Sequence, residues 1–160
     1  MLYLSSEQSI LRKPELVWSL LADVASYPSW VEGLVKVDHD EGPAFGQGSQ
    51  YSIVWKLGGK KIVATAEVTS FTEARLLAVE TRVKNRLVLF DRVSLEPVLG
   101  GTELTARSEV LEERGLGALF ARAPGLLGSQ ESERLEQRYY ERSFRAFKLL
   151  VEARTAAPYR

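Results

Sequence analysis

The stretch from Val35 to Glu113 sets the tightest limit on what this chain can fold into. About six apolar-rich segments of strand length follow one another there. The breaks between them are short: Gly42-Pro43, Gly58-Gly59, Glu73-Ala74-Arg75, Lys84-Asn85 and Gly100-Gly101. A parallel crossover needs about a dozen residues or more, so each strand must run back along the one before it. The expectation is an antiparallel meander.

Before it, "LYLSSEQSIL" (residues 2–11) partly alternates apolar and polar residues and predicts a first strand. Pro14 then opens a helix where its missing N–H costs nothing, with Val17, Leu20, Leu21 and Val24 at helical spacing. That helix is expected to stop near Ser26, because the residue before Pro28 disfavours the α region. Pro28 is expected to begin a second short helix, "PSWVEGL", ended by Gly33. After the meander, "LGALFARA" puts Leu116, Leu119, Phe120 and Ala123 on one stripe, and "PGLLGS" interrupts. A long helix from about Ser129 to Ala156 follows, with Tyr140, Phe144, Phe147 and Val151 on one apolar face.

The fold class is therefore α+β, with a single domain over residues 1–160. Hydrophobic residues at 45% and charged residues at 26% are globular values, so a folded core is expected. Lys plus Arg and Asp plus Glu both number 21, so no global field attracts nucleic acid. Cysteine is absent, which removes disulfides, thiolate metal sites and thiol nucleophiles. No stretch reaches the ~20 apolar residues of a membrane span, and a cytoplasmic setting is the default expectation. No phosphate-binding loop or complete GxGxxG occurs, so no cofactor is expected.

Seven antiparallel strands and one apolar-faced helix bury each other most simply if the sheet curls around the helix. One helix is narrow, so space is expected between them, with the two short helices closing one end. The order of elements, with "PELVWSLLADVASYPSWVEGLVKVD", "FGQGSQY", "GGTELTARSEV" and "RAFKLLVEA", resembles the START-like, Bet v 1-like superfamily, also called SRPBCC. Its polyketide cyclase/dehydrase and lipid-transport group is the nearest match. The resemblance implies a helix-grip fold: a curved seven-stranded sheet around a C-terminal helix, two short helices between strands 1 and 2, and an elongated apolar cavity. It implies no single activity.

Period two sorts the strand residues. The inward set is Tyr51, Ile53 and Trp55; Ile62, Ala64, Ala66 and Val68; Leu77, Val79 and Thr81; Leu87, Leu89, Asp91, Val93 and Leu95; Leu104, Ala106 and Ser108. From it come the expected ligand contacts Tyr51, Ile53, Trp55, Ala66, Val79, Thr81, Leu89, Asp91 and Ala106, joined by Trp30, Tyr140, Phe144 and Phe147. Trp18, Tyr27 and Trp30 either plug the core or offer a ligand an aromatic face. Asp91 stands out, since an unpaired carboxylate beside Leu89 and Val93 is costly to bury. Either it faces the cavity and meets a polar ligand group, or a bulge turns it outward beside Arg92. Asp91 and Tyr51 are the candidate catalytic groups.

The lone histidine, His39, sits in a polar turn with Asp38, Asp40 and Glu41, which lack the order of a calcium loop, so no metal site is expected. Arg134, Arg138, Arg142 and Arg145 form a basic stripe on the long helix, broken by Glu131 and Glu141, with a favourable Glu141–Arg145 pair expected. The stripe is a solvated face or a dock for an acidic protein partner. The segment "GLGALFARAPGLLG" packs on the sheet or forms a lid. Three functions compete: a non-catalytic binder or carrier of a small hydrophobic molecule, a cyclase or dehydratase, and a regulator acting through a protein partner. The first is preferred, because the inward set offers few proton-transfer groups.

Overall fold

The computed structural model describes residues 2–39, 44–57, 59–111 and 129–154. Seven strands form one antiparallel sheet: β1 (Leu2–Ile10), β2 (Leu34–His39), β3 (Gln50–Leu57), β4 (Lys60–Thr72), β5 (Leu76–Val83), β6 (Arg86–Val98) and β7 (Gly101–Val110). Their spatial order is β1-β7-β6-β5-β4-β3-β2, so the first two strands in sequence sit at opposite edges. Between them run helix α1 (Pro14–Leu21) and a 3₁₀ helix (Val24–Ser29), which carry the chain from one edge of the curved sheet to the other. Helix α2 (Ser129–Ala153) lies against β1 and touches α1. Among the described residues no helix is long and apolar enough to cross a membrane.

The hairpin turns fall where the sequence puts them. Lys84 and Asn85 both take positive φ (48° and 66°), the two-residue turn whose twist suits flanking strands. The Gly100-Gly101 turn does more than reverse the chain. A Cβ on Gly101 would stand 2.1 Å from the Ile10 carbonyl oxygen, so only glycine lets β7 start this close to the end of β1. Next to it, buried Thr102 donates from Oγ1 to the Arg12 carbonyl at 2.7 Å. The "GGTELT" motif thus fastens the end of β1 to the start of β7.

Four expectations need correction. Helix α1 ends at Leu21, short of Ser26, and the next helical piece contains Pro28 inside it instead of starting there. The cause is a local cap: the Tyr27 hydroxyl donates to the Leu21 carbonyl at 2.5 Å, folding the chain back across the end of α1. Leu87 is only half-buried, because β6 carries an extra residue against β5 between Leu87 and Leu89. Val88 is that residue, and it is 0% exposed. Glu141 accepts from Gln8 Nε2 at 2.8 Å and is not paired with Arg145.

Helix α2 buries Phe144, Phe147 and Val151 as its spacing demands. Its other contacts are polar and directed at the edge strand. Gln137 accepts from the Ser5 amide at 3.2 Å and donates to the Ser5 carbonyl at 2.7 Å, while Glu152 accepts from the Leu11 amide at 2.9 Å. Side chains of α2 therefore cover backbone groups that an edge strand would otherwise leave open. The Glu32 amide donates to Ser143 Oγ at 2.9 Å, tying the loop after the 3₁₀ helix to the same helix.

Candidate functional site

Aromatic side chains from five separate parts of the chain meet at the end of the concave face closed by α1 and the 3₁₀ helix. Trp30 packs on Tyr27, Phe144 and Phe147 with ring centroids 5.2, 5.4 and 4.9 Å apart. Tyr140 stacks edge-on against Phe144 at 5.1 Å. Tyr27 leads on to Tyr51 at 6.2 Å, and Tyr51 to Phe45 at the same distance. Phe45 touches Phe71, and Phe71 touches Trp18. The "SYPSW" stretch thus helps cap the grip with the rings of Tyr27 and Trp30.

Phe45 and Phe71 were not among the residues expected here. Thr69 is an extra residue in β4 against β5, since Val68 pairs with Val79 and Ser70 with Ala78. That bulge shifts Phe71, otherwise an outward position, onto the face where it meets Trp18. Phe45 lies in the approach to β3, where no periodicity marks it.

Asp91 lies on the concave face. Val79 of β5 stands on one side of it and Ser108 of β7 on the other, both buried. Asp91 itself keeps partial exposure between these buried neighbours. Burial pushes its carboxyl up to about 6, while the Ser108 hydroxyl across the strand pulls slightly the other way without reaching full hydrogen-bond geometry. Burial also raises the hydroxyls of Tyr27, Tyr51 and Tyr140 well above the ordinary tyrosine value, and the Asp91 charge adds to each of these shifts. The Asp91 charge is thus felt at three tyrosines.

Three buried polar atoms here have no hydrogen-bond partner: Trp30 Nε1, Tyr140 Oη and Ser108 Oγ. Most buried polar atoms in folded proteins are paired, so such exceptions call for an explanation. Glu136, one turn before Tyr140, is also buried.

The register separates the other expected contacts. Tyr51, Ala66, Thr81 and Leu89 form the row beside Asp91. Ala106 is opposite Val93, the next inward position of β6. Ile53 pairs with Ala64, and Trp55 with Ile62, so Trp55 lies two inward positions beyond Tyr51 toward the far end of the sheet. Phe147 is 0% exposed and packs on Trp30 and Phe144. His39 is exposed at the end of β2, and the four arginines of the α2 stripe are exposed, with Arg142 3.3 Å from Glu32. The stripe of Leu116, Leu119, Phe120 and Ala123 and the "PGLLG" segment lie outside the described residues, as do Asp40 and Glu41.

Several solved structures share this architecture. A Chromobacterium violaceum protein superposes with TM-score 0.69 at 16% identity, covering 95% of this chain and 99% of that one. The Zhui aromatase/cyclase from Streptomyces sp. R1128 gives 0.67 at 18%, covering 97% and 96%. Ara h 8.0201 gives 0.64 at 14%, covering 95% and 98%. At these identities the likeness is one of fold: the helix grip of the Bet v 1-like proteins. No curated protein sequence matches the chain. A family model described as polyketide cyclase / dehydrase and lipid transport matches residues 1–152. With a helix-grip fold and a family match over nearly its whole length, the chain belongs to the polyketide cyclase/dehydrase and lipid transport family.

Proposed function

We propose that this protein binds a small, mostly apolar molecule between the concave face of the sheet and α2, with the ligand's polar end at Asp91, Tyr140 and Trp30. The observation that carries this reading is the pair of buried donors, Trp30 Nε1 and Tyr140 Oη, without acceptors. Leaving such a group unsatisfied costs about 1–3 kcal/mol. Both donors belong to rings packed on Phe144, and Tyr140 feels the charge of Asp91. Apolar walls with a few converging polar groups are the usual make-up of a small-molecule site.

The family also contains cyclases and dehydrases, and Asp91 favours that reading in one respect. A carboxyl held at about 6 can exchange a proton near neutral pH. Proton shuttling around a folding carbonyl chain needs a second such group. Tyr27, Tyr51 and Tyr140 are all pushed away from that range by burial, which leaves binding as the better supported function.

Mass spectrometry of the native protein, with melting curves over a panel of lipids, quinones and aromatic polyketide-like compounds, tests the reading. A copurifying apolar molecule, or a ligand-dependent rise in Tm that Tyr140→Phe reduces, supports it. A clean apo mass together with no shift across the panel rejects it. Ring closure of a carbonyl chain that stops in Asp91→Asn would move the assignment to the enzyme.

A further inference from the structure

The opposite, convex face of the sheet carries a cluster that the binding function leaves unused. Strand alternation puts Arg92 and Ser94 of β6 on the side away from Asp91, Val93 and Leu95, and Thr105 and Arg107 of β7 on the side away from Ala106 and Ser108. The register sets Arg92 directly across from Arg107, and Ser94 directly across from Thr105. Cross-strand partners stand ~5 Å apart at Cβ, and successive same-face positions along a strand ~7 Å apart. These four side chains line one surface cavity of about 380 Å³.

Like charges directly across from each other destabilise an antiparallel pair. The rest of the register row, Ser5 of β1 and Ala78 of β5, supplies no acid to offset the two arginines. Glu80, diagonal to Arg92 on β5, is held 3.3 Å from Arg82, and Glu103 accepts from Ser9 Oγ at 2.5 Å. Glu7 and Glu109 stand one same-face step away, yet neither arginine forms an ion pair or a hydrogen bond among the described residues. Both guanidiniums are exposed. Their donors face the cavity's solvent, and the Ser94 hydroxyl reaches the Thr105 carbonyl only at 3.5 Å.

We infer that this cavity is a binding site for a phosphate monoester or free phosphate, clamped between Arg92 and Arg107 with the Ser94 and Thr105 hydroxyls as further donors. Two guanidinium forks on adjacent strands carry two positive charges and match an anion with several oxygens. A carboxylate fits one fork and leaves the other unpaired. A phosphodiester brings a single charge, so it neutralises half of the pair. A phosphate monoester near neutral pH carries almost two charges and three free oxygens, enough for both forks. Its binding also relieves the repulsion across the strands. The site lies on the other face of the sheet from the apolar ligand, so neither reading depends on the other.

Calorimetry and ³¹P NMR titrations of the full chain at constant ionic strength test this, with inorganic phosphate, glycerol 3-phosphate and acetate as probes. Saturable binding of phosphate or its monoester is expected with a Kd of about 1 mM or tighter, at least about tenfold tighter than acetate. Arg92→Gln and Arg107→Gln are each expected to weaken it about tenfold or more, and Arg92→Lys, which keeps the charge without the fork, by less. Arg138→Gln, an exposed charge on α2, is expected to change it less than about twofold. Vesicles of phosphatidic acid in phosphatidylcholine separate the sources. Sedimentation with them that both Gln variants abolish assigns the phosphate to a lipid head group, and binding of the soluble probes alone assigns it to a soluble monoester; either supports the site. No saturation up to about 10 mM phosphate and no vesicle binding, acetate as tight as phosphate, or a loss in Arg138→Gln equal to that in Arg92→Gln overturns it.

Discussion

Helix α2 takes part in two unlike regions. Along the β1 edge its polar side chains are matched: Gln137 meets both backbone groups of Ser5, Glu141 meets Gln8, and Glu152 meets the Leu11 amide. The same helix also carries Tyr140 Oη, which has no partner and lies within reach of the Asp91 charge; Trp30 Nε1 and Ser108 Oγ are likewise unmatched. One helix therefore both seals an edge and leaves polar groups open. Matched groups fix where α2 lies, and that rigidity lets the unmatched ones persist instead of collapsing onto each other. Stability and binding are assigned to different faces of the same element.

The largest effect should come from breaking the matched region at its apolar anchor. Phe147 is fully buried and packs on Trp30 and Phe144. Phe147→Ala is expected to cost about 3–5 kcal/mol in denaturant unfolding. A loss under about 1 kcal/mol would mean that α2 does not anchor the grip, and the contrast between the regions would lose its basis.

Asp91→Asn should act in the opposite direction, because this part of the molecule is not built for stability. The carboxyl has an ordinary value of 3.8 and is held at about 6 in the folded protein. Folded chains thus bind more protons than unfolded ones between these values, and the native state loses stability as pH rises through that window. Below it both states are protonated and the penalty is absent; above it the penalty is complete. Discounted for the partial exposure of Asp91, the gain in Asp91→Asn is expected to be on the order of 2 kcal/mol at about pH 7.5 and to vanish at about pH 3. Chemical unfolding of both proteins across this range measures it. A variant less stable at neutral pH would place Asp91 among the matched groups.

How far the sequence reveals these regions depends on whether a signal is local. Lys84-Asn85 and the i, i+4, i+7 face of Phe144 to Val151 are local, and both are legible. Asp91 is legible as well, since a single acid between Leu89 and Val93 keeps its face wherever those neighbours keep theirs. The bulges at Thr69 and Val88 are not local, because an extra residue is defined only against a partner strand. They hide Phe71 and misplace Leu87. The end of α1 is set by a hydroxyl six residues on, and Pro28 gives only a weaker hint of it. An unpartnered donor is the least legible feature, since Trp30 Nε1 is open only by virtue of what the whole fold puts around it.

Two tyrosines give the finest version of the contrast, and the smallest effect. Tyr27 and Tyr140 each carry a buried hydroxyl, but Tyr27 donates to the Leu21 carbonyl at 2.5 Å and Tyr140 donates to nothing. Tyr27→Phe removes a hydrogen bond and leaves a helix-end carbonyl unsatisfied, so a loss of about 1 kcal/mol or more is expected. Tyr140→Phe removes a group that made no bond, so its stability should lie within about 0.5 kcal/mol of the parent or rise above it. Urea unfolding of the ligand-free proteins resolves the difference. Equal losses would show that the Tyr140 hydroxyl is already satisfied without a ligand, and a satisfied hydroxyl has no hydrogen bond left to offer a guest.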